Sequence, residues 1–331
     1  MELNQAVAWE REGRSWPHRD ASRFVQSGGL RWLVQQMGDG PVALLLHGTG
    51  SSTHSWRGVM PALARTFTVV AMDLPGHAFT DGARHRDLSL EAMAGAVGAL
   101  VDTLGVEVAM VVGHSAGAAI GAQLALQRRV QPRLLVAING AFFPLPGLAG
   151  VVFPPVARLM AATPWASRLF ARRNWDTPAV ERLIHGTGSS LDAQGVALYG
   201  RLLRDPEHAA GALGMMSQWD LHALDRALRE LRTPLCLIVG GRDRVISPAE
   251  ASRLCRLIPA STPREVQTLP DAGHLVHEEQ PDWVARRIEC AWDGLFSRDA
   301  DAQIAPNGQH AGGRGAAEPR RTTPEGEWHE G

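Results

Sequence analysis

Residues Gly113-His114-Ser115-Ala116-Gly117 lie between a run of strand-type residues and a run of helix-type residues, and that junction limits what the chain can become. Val108, Met110, Val111 and Val112 come before it; Ala118, Ala119, Ile120, Ala122, Leu124, Ala125 and Leu126 follow. A serine at a sharp strand-to-helix turn is forced into a strained backbone conformation, and small residues two before and two after it relieve the crowding. The turn lifts the hydroxyl above the edge of a sheet, and the helix that follows aims its N-terminal N–H groups at any negative charge placed there. Many proteins contain such a five-residue pattern by chance, so the flanking strand and helix signals are what make Ser115 a candidate nucleophile.

A serine hydroxyl is a poor nucleophile until a base takes its proton, and the base needs a carboxylate to orient it. Leu235, Leu237, Ile238 and Val239 read as a short buried strand ending in Gly240-Gly241-Arg242-Asp243-Arg244. Asp243 therefore falls just past a strand end, where open α/β sheets build their sites. Val266, Thr268 and Leu269 suggest a last strand, followed by Asp271-Ala272-Gly273-His274 and a final helix opening at Pro281-Asp282. Taken singly, Asp243 is equally well a turn aspartate. His274 has a rival in His277, which the adjoining Glu278-Glu279 makes read as a solvated helix start. Together, the order Ser115, Asp243, His274 is the one a strand-end nucleophile of this kind requires.

Val42, Ala43, Leu44, Leu45 and Leu46 make another buried strand, ending in His47-Gly48-Thr49-Gly50. Small residues there let the backbone approach a substrate carbonyl closely. The N–H of Thr49, with that of Ala116, is the expected oxyanion donor pair; the plainer reading is a glycine-rich βα connection. Asp73-Leu74-Pro75-Gly76-His77, after the strand around Phe67–Met72, reads as a loop-shaping turn without a chemical role.

Hydrophobic periods place these motifs on one framework. A hairpin from Ser22 to Gln36 turns at Ser27-Gly28-Gly29. Strands over 42–46, 67–72, 108–113 and 134–139 then alternate with helices near 55–65, 89–104 and 115–128, which predicts a mostly parallel sheet covered on both faces. The alternation stops near Asn139-Gly140 and resumes at Leu235. Residues 1–140 and 226–298 are thus expected to form an α/β core. Residues 141–225, rich in Pro, Trp, Met and Arg, form an insertion expected to cover Ser115 as a helical lid. The tail, 299–331, carries many Gly, Pro, Ala and charged residues and is expected to be disordered.

At 331 residues the chain is long enough for one large core plus an insertion. Its formal net charge of −1, with both signs interspersed, offers no surface for a nucleic acid. The three cysteines, 236, 255 and 290, are odd in number and far apart, which fits buried free thiols in a reducing compartment and no metal site. The polar N-terminus and the lack of an apolar run of about 20 residues predict a cytoplasmic chain without a transmembrane segment.

In the insertion, Phe142, Phe143 and Trp165 are candidate pocket-lining residues, with Arg168 and Arg172 one helical turn apart on a neighbouring face. The bland reading is a lid that packs its apolar side on the core and leaves its arginines in water. The functional one is a cover for a large flat ligand bearing carboxylates, or a patch that touches a membrane surface.

The series His47-Gly48-Thr49-Gly50, Asp73-Leu74-Pro75-Gly76-His77, Gly113-His114-Ser115-Ala116-Gly117, Asp243 and Asp271-Ala272-Gly273-His274 resembles the α/β-hydrolase superfamily over about residues 20–297. Trp16-Pro17-His18-Arg19, Ser22-Arg23-Phe24-Val25, Gly28-Gly29-Leu30-Arg31-Trp32 and Thr53-His54-Ser55-Trp56 look like one branch of it. That branch comprises the magnesium-chelatase-associated, hydrolase-like proteins of bacteriochlorophyll biosynthesis in purple phototrophs. One departure is Ala78, which follows His77 where such proteins often carry Gly. The resemblance implies an accessory role in photosynthetic pigment synthesis near magnesium insertion, a tetrapyrrole or its ester as ligand, and chelatase subunits as partners. It implies ester or acyl hydrolysis by Ser115, His274 and Asp243, with no metal or organic cofactor. Two other readings stay open: a non-catalytic porphyrin- or chelatase-binding protein, and a general esterase or aminopeptidase-like hydrolase outside pigment metabolism.

Overall fold

A computed structural model describes residues 9–82, 87–144, 169–173 and 175–304, with side chains described as far as 295. Two compact units divide the chain, one running to Trp292 and one beginning at Asp293, whose described residues are helical.

Eight strands form one sheet: β1 (Ser22–Ser27), β2 (Leu30–Met37), β3 (Val42–Leu46), β4 (Thr68–Met72), β5 (Val108–His114), β6 (Leu134–Ile138), β7 (Leu235–Gly240) and β8 (Arg264–Leu269). Their spatial order is β1-β2-β4-β3-β5-β6-β7-β8. The β1–β2 hairpin and the β2–β4 pair are antiparallel, and every pair from β4 across to β8 is parallel. The parallel strands are near-continuous apolar runs because helices cover both their faces; β6, Leu-Leu-Val-Ala-Ile, is buried throughout. Edge strand β8 carries Arg264, Glu265 and Gln267 and alternates in exposure, which protects its unpaired side from further strand addition.

The helices in chain order are α1 (Val59–Leu63), α2 (Leu90–Leu104), α3 (Ala116–Leu126), α4 (Thr177–Gly186), α5 (Ala193–Leu203), α6 (Pro206–Gln218), α7 (Leu221–Ala227), α8 (Ala249–Leu257), α9 (Val276–Glu279) and α10 (Pro281–Ile304). α2 starts on Ser89, whose hydroxyl accepts from Ala92 N–H, and stops at Gly105 in the left-handed region (φ 64°). The single helix expected over 55–65 is instead a 3₁₀ turn, Thr53–Trp56, followed by the short α1. Gly58 stands between them, and a Cβ there would lie 2.6 Å from Pro281 Cβ.

α4 to α7 lie between β6 and β7 and start on a repeated device. Asp176, Asp192, Asp205 and Asp220 each accept an N–H from the first turn of their helix, at 3.0, 2.7, 2.9 and 2.9 Å. An aspartate at this position satisfies an orphan donor and complements the positive end of the helix dipole. Residues 145–168, including Trp165 and Arg168, lie outside the described residues. Residues 299–304 are helical, and the rest of the expected tail lies outside the described residues.

Candidate active site

Ser115 adopts φ 50° and ψ −115° between β5 and α3, a region that costs a residue with a Cβ on the order of 1–3 kcal/mol. The end of β6 holds it there: Ser115 N–H donates to Ile138 O at 2.9 Å, and Ala141 N–H donates to Ser115 O at 3.1 Å. The small neighbours are a packing requirement. A Cβ on Gly113 would lie 2.4 Å from Ala118 N, and one on Gly117 would lie 2.0 Å from Leu46 O. Gly117→Ala is therefore expected to cost about 3 kcal/mol, the upper range for overpacking, and to lower Tm by about 8 °C. Gly95→Ala, in α2 with nothing within 4 Å of the added methyl, should raise stability by up to about 1 kcal/mol. Calorimetry on the two variants checks this pair of opposite signs.

Asp243 and His274 meet directly. Asp243 Oδ2 lies 2.7 Å from His274 Nδ1, and Oδ1 accepts from Val245 N at 2.7 Å and Ile246 N at 2.9 Å. Three donors thus fix one carboxylate whose side chain is completely buried. With Nδ1 carrying the proton toward Asp243, the neutral imidazole keeps Nε2 as its acceptor. The backbone of His274 is fixed as firmly as its ring, since its carbonyl accepts from Asn139 Nδ2 and His114 Nε2, both at 2.9 Å. Asn139, buried and at φ 45°, also donates to Gly273 O and accepts Gly240 N–H at 2.8 Å. One side chain therefore ties the ends of β6 and β7 to the base loop. The His114 and His274 rings are 4.7 Å apart, which places the base loop against the residue preceding Ser115. The Ser115 hydroxyl caps no N–H of its own helix, and no hydrogen bond joins it to His274 in this structure.

Gly48 to Ser51 form a tight turn, closed by Ser51 N–H on Gly48 O at 3.1 Å with Gly50 at φ 73°. A Cβ on Gly48 would lie 3.2 Å from Ser115 Cβ, so this loop runs beside the elbow. Neither Thr49 N–H nor Ala116 N–H, at the first position of α3, donates to a described residue. Asp73 spans the neighbouring loops, accepting Thr53 N–H at 2.8 Å and Phe79 N–H at 3.1 Å. Burial pushes its carboxyl up to about 6 against those two hydrogen bonds. Ala78, the departure from glycine, has φ 44°, so the backbone there has the left-handed form that glycine accommodates most readily.

The expectation that His277 is solvated is overturned. It is fully buried, 4.9 Å from the Trp56 ring and 4.3 Å from the His114 ring. Burial, with the charges of His274 and Arg57, lowers it to about 3. α9 also turns the neighbouring Glu278 inward, where it pairs with the Arg57 guanidinium and accepts Tyr199 Oη–H at 2.8 Å. Burial raises Glu278 to about 7 despite Arg57. His47, His54, His77, His114 and His208 are also buried, and burial is the largest cause of each being lowered.

Of the other candidates, Phe142 and Phe143 are buried in the main core, and the Arg253 guanidinium lies 3.8 Å over the Phe143 ring. Arg172 is exposed. A cavity of about 20 Å³, room for about one water, lies beside the acid loop between Asn139, Gly140, Phe142, Ile246 and Glu250. Burial and the nearby Asp243 raise Glu250 to about 7, Arg253 opposing. Among the described residues no group of three or more His, Cys, Asp or Glu side chains converges on a metal-binding arrangement, and no helix is long and apolar enough to cross a membrane. Asn139, His114 and His208 escaped the sequence reading, because each acts through a partner more than 100 positions away.

Residues 41–281 match the family model of the alpha/beta hydrolase fold. The magnesium-chelatase 30 kDa subunit of Rhodobacter capsulatus is 40% identical over 276 residues, covering 83% of this chain and 95% of that protein. An alpha/beta hydrolase fold protein from Burkholderia ambifaria superposes with a TM-score of 0.67 at 24% identity, over 81% of this chain and 97% of that one. An epoxide hydrolase solved without ligand gives 0.69 at 22% identity, over 83% and 99%.

Proposed function

Because the chain belongs to the α/β-hydrolase fold family, we propose that it is a serine hydrolase acting on an ester or related acyl group. Ser115 attacks the carbonyl, His274 takes the proton at Nε2 and returns it to the leaving group, and Asp243 holds the imidazole in the tautomer that leaves Nε2 free. Thr49 and Ala116 N–H groups receive the developing oxyanion, each such donor being worth about 3–4 kcal/mol in the transition state. The observation that carries this reading is the 2.7 Å contact between Asp243 and His274, because the other carboxylate oxygen is already taken by two backbone donors and the contact selects the imidazole tautomer that leaves Nε2 as acceptor. A fluorophosphonate should label the wild type covalently and leave Ser115→Ala unlabelled. An unlabelled wild type would overturn the hydrolase reading.

The 40% identity to a protein named for magnesium chelatase supports a place in bacteriochlorophyll synthesis. We accordingly assign a tetrapyrrole or its ester as substrate and chelatase subunits as partners, with residues 141–225 as the lid over Ser115. Titration with protoporphyrin and with its magnesium form should shift the porphyrin absorbance at micromolar concentration; an unchanged spectrum counts against the assignment. The relative's designation as a subunit also favours a non-catalytic reading, in which the protein binds porphyrin or chelatase and makes no use of Ser115. Complementation separates the two: a Ser115→Ala gene that restores pigment synthesis in a deletion strain supports scaffolding over chemistry.

A further inference from the structure

Two histidines hold the carbonyls of the residues before and after Thr49, with opposite tautomers. His47 accepts Leu74 N–H at Nε2 (2.9 Å), so its proton is on Nδ1, which donates to Gly48 O at 2.8 Å. His208, carried by α6 in the insertion, accepts Ala78 N–H at Nδ1 (3.0 Å), so its proton is on Nε2, which donates to Gly50 O at 3.1 Å. A backbone N–H can only donate, so each contact names the bare nitrogen and, with it, the tautomer. α6 reaches this position because Gly211 has no side chain: a Cβ there would lie 1.9 Å from Gly76 O. Two more inserted side chains end on the same loop, Met215 Sδ on Thr49 Oγ1 at 3.4 Å and Tyr199 Oη on Ser51 Oγ at 3.3 Å.

The backbone between these contacts forms a relay. His208 holds Gly50 C=O, whose rigid peptide plane also contains Ser51 N–H. That N–H donates to Gly48 O, and the Gly48 carbonyl shares its own plane with Thr49 N–H. Two planar units therefore connect the imidazole of His208 to the N–H assigned to the oxyanion. Successive hydrogen bonds along such a chain polarise one another, so the relay orients the terminal donor and strengthens it.

We infer that His208 is a positioning residue for the oxyanion loop, through which the insertion sets the direction and strength of the Thr49 N–H donor. This rests on the serine-hydrolase reading above, with Thr49 as oxyanion donor. His208 is buried, and burial, with His77 nearby, lowers it to about 3, which keeps the ring in the neutral form that both of its hydrogen bonds require. Docking of the insertion and readiness of the oxyanion site are then one event, so displacing α6 relaxes the donor even with Ser115, His274 and Asp243 in place.

The test uses the full chain, p-nitrophenyl butyrate and a fluorophosphonate. Deleting a direct oxyanion donor costs about 10²–10³ in kcat; losing its positioning by His208→Leu should cost less, about 30-fold. KM should stay within about twofold, and the labelling rate should fall in parallel with kcat. His208→Gln, which offers an amide oxygen to Ala78 N–H and an amide N–H to Gly50 O, should recover most of the rate. A folded His208→Leu that reacts at the wild-type rate, while Ser115→Ala is inert, overturns this inference and leaves the hydrolase reading standing. A wild type that neither turns over nor labels overturns both. Should His208→Leu fail to fold, nitrogen NMR of the wild-type ring decides: a proton on Nε2 from pH 6 to 8 supports the relay, and a proton on Nδ1 overturns it.

Discussion

Asp243→Asn is expected to lower kcat for a p-nitrophenyl ester, and the rate of fluorophosphonate labelling at Ser115, by about 10⁴, equivalent to about 5.5 kcal/mol in the barrier. The size of the effect follows from which atoms are already committed. Asp243 Oδ1 accepts two backbone N–H groups, from Val245 and Ile246. An asparagine must keep its amide oxygen there, because turning its NH₂ toward two donors would leave three groups unsatisfied. Its NH₂ then faces His274 Nδ1, which has to become an acceptor. The imidazole proton moves to Nε2, the atom that is to take the proton from Ser115. The variant remains folded, because both backbone donors keep their acceptor, and its thermal midpoint should move by only a few degrees. A loss of less than about tenfold, with the fold intact, would remove Asp243 from the catalytic reading.

Much of this arrangement was legible in the chain because it rests on local backbone demands. The Gly113–Gly117 pattern is readable because a strand-to-helix turn at Ser115 leaves no room for side chains at its flanks. The hairpin turn at Gly28-Gly29 is readable because both residues take positive φ. The parallel core shows itself through apolar runs buried on both faces. The four aspartates that begin α4 to α7, two of them followed at once or nearly so by Pro178 and Pro206, are a local signal too, and they mark the start of each of these four helices. What stayed hidden is the consequence of partners far apart in sequence. Glu278 and His277 look solvated beside Glu279, but Arg57, 221 positions away, gives the Glu278 carboxyl a partner inside the fold. His208 looks like a histidine in a surface helix until α6 is laid across the loops at Gly50 and Ala78. Asn139 looks like a turn residue until the ends of β6 and β7 converge on it. In each case the local pattern is that of an exposed polar residue, and the tertiary partner reverses it.

The same buried histidines predict a steep loss of stability in mild acid. His47, His54, His77, His114, His208 and His277 stay neutral in the fold, with His77 held to about 4 and His208 and His277 to about 3. In the unfolded chain each takes a proton near its ordinary value of about 6.5. At pH 5.5 the unfolded state therefore holds roughly five more protons on these six groups. Four carboxyls act in the opposite sense, one of them Asp205, which burial raises. Asp73 at about 6 and Glu278 and Glu250 at about 7 are protonated in the fold and ionised when unfolded. Their contribution is present below the unfolded values, lost as pH rises through 6 to 7, and amounts to roughly two protons bound by the folded state at pH 5.5 once the partly exposed Glu250 is discounted. The histidines win by roughly three protons, a slope of about 4 kcal/mol per pH unit. Near pH 7–8 the two sets cancel and the curve is flat. Urea midpoints should thus be level from pH 8 to 7 and fall steeply below about 6.5, and a typical stability of about 5–15 kcal/mol is exhausted between about pH 5 and 4. His277→Phe, against the Trp56 ring, removes one of the six groups and should make the acid limb shallower by about 1.4 kcal/mol per pH unit. A midpoint that holds level down to pH 5, or an acid limb that His277→Phe leaves unchanged, would mean that these imidazoles are not held neutral by the fold. The tautomers that stitch His47 and His208 to the oxyanion loop would then lose their physical basis.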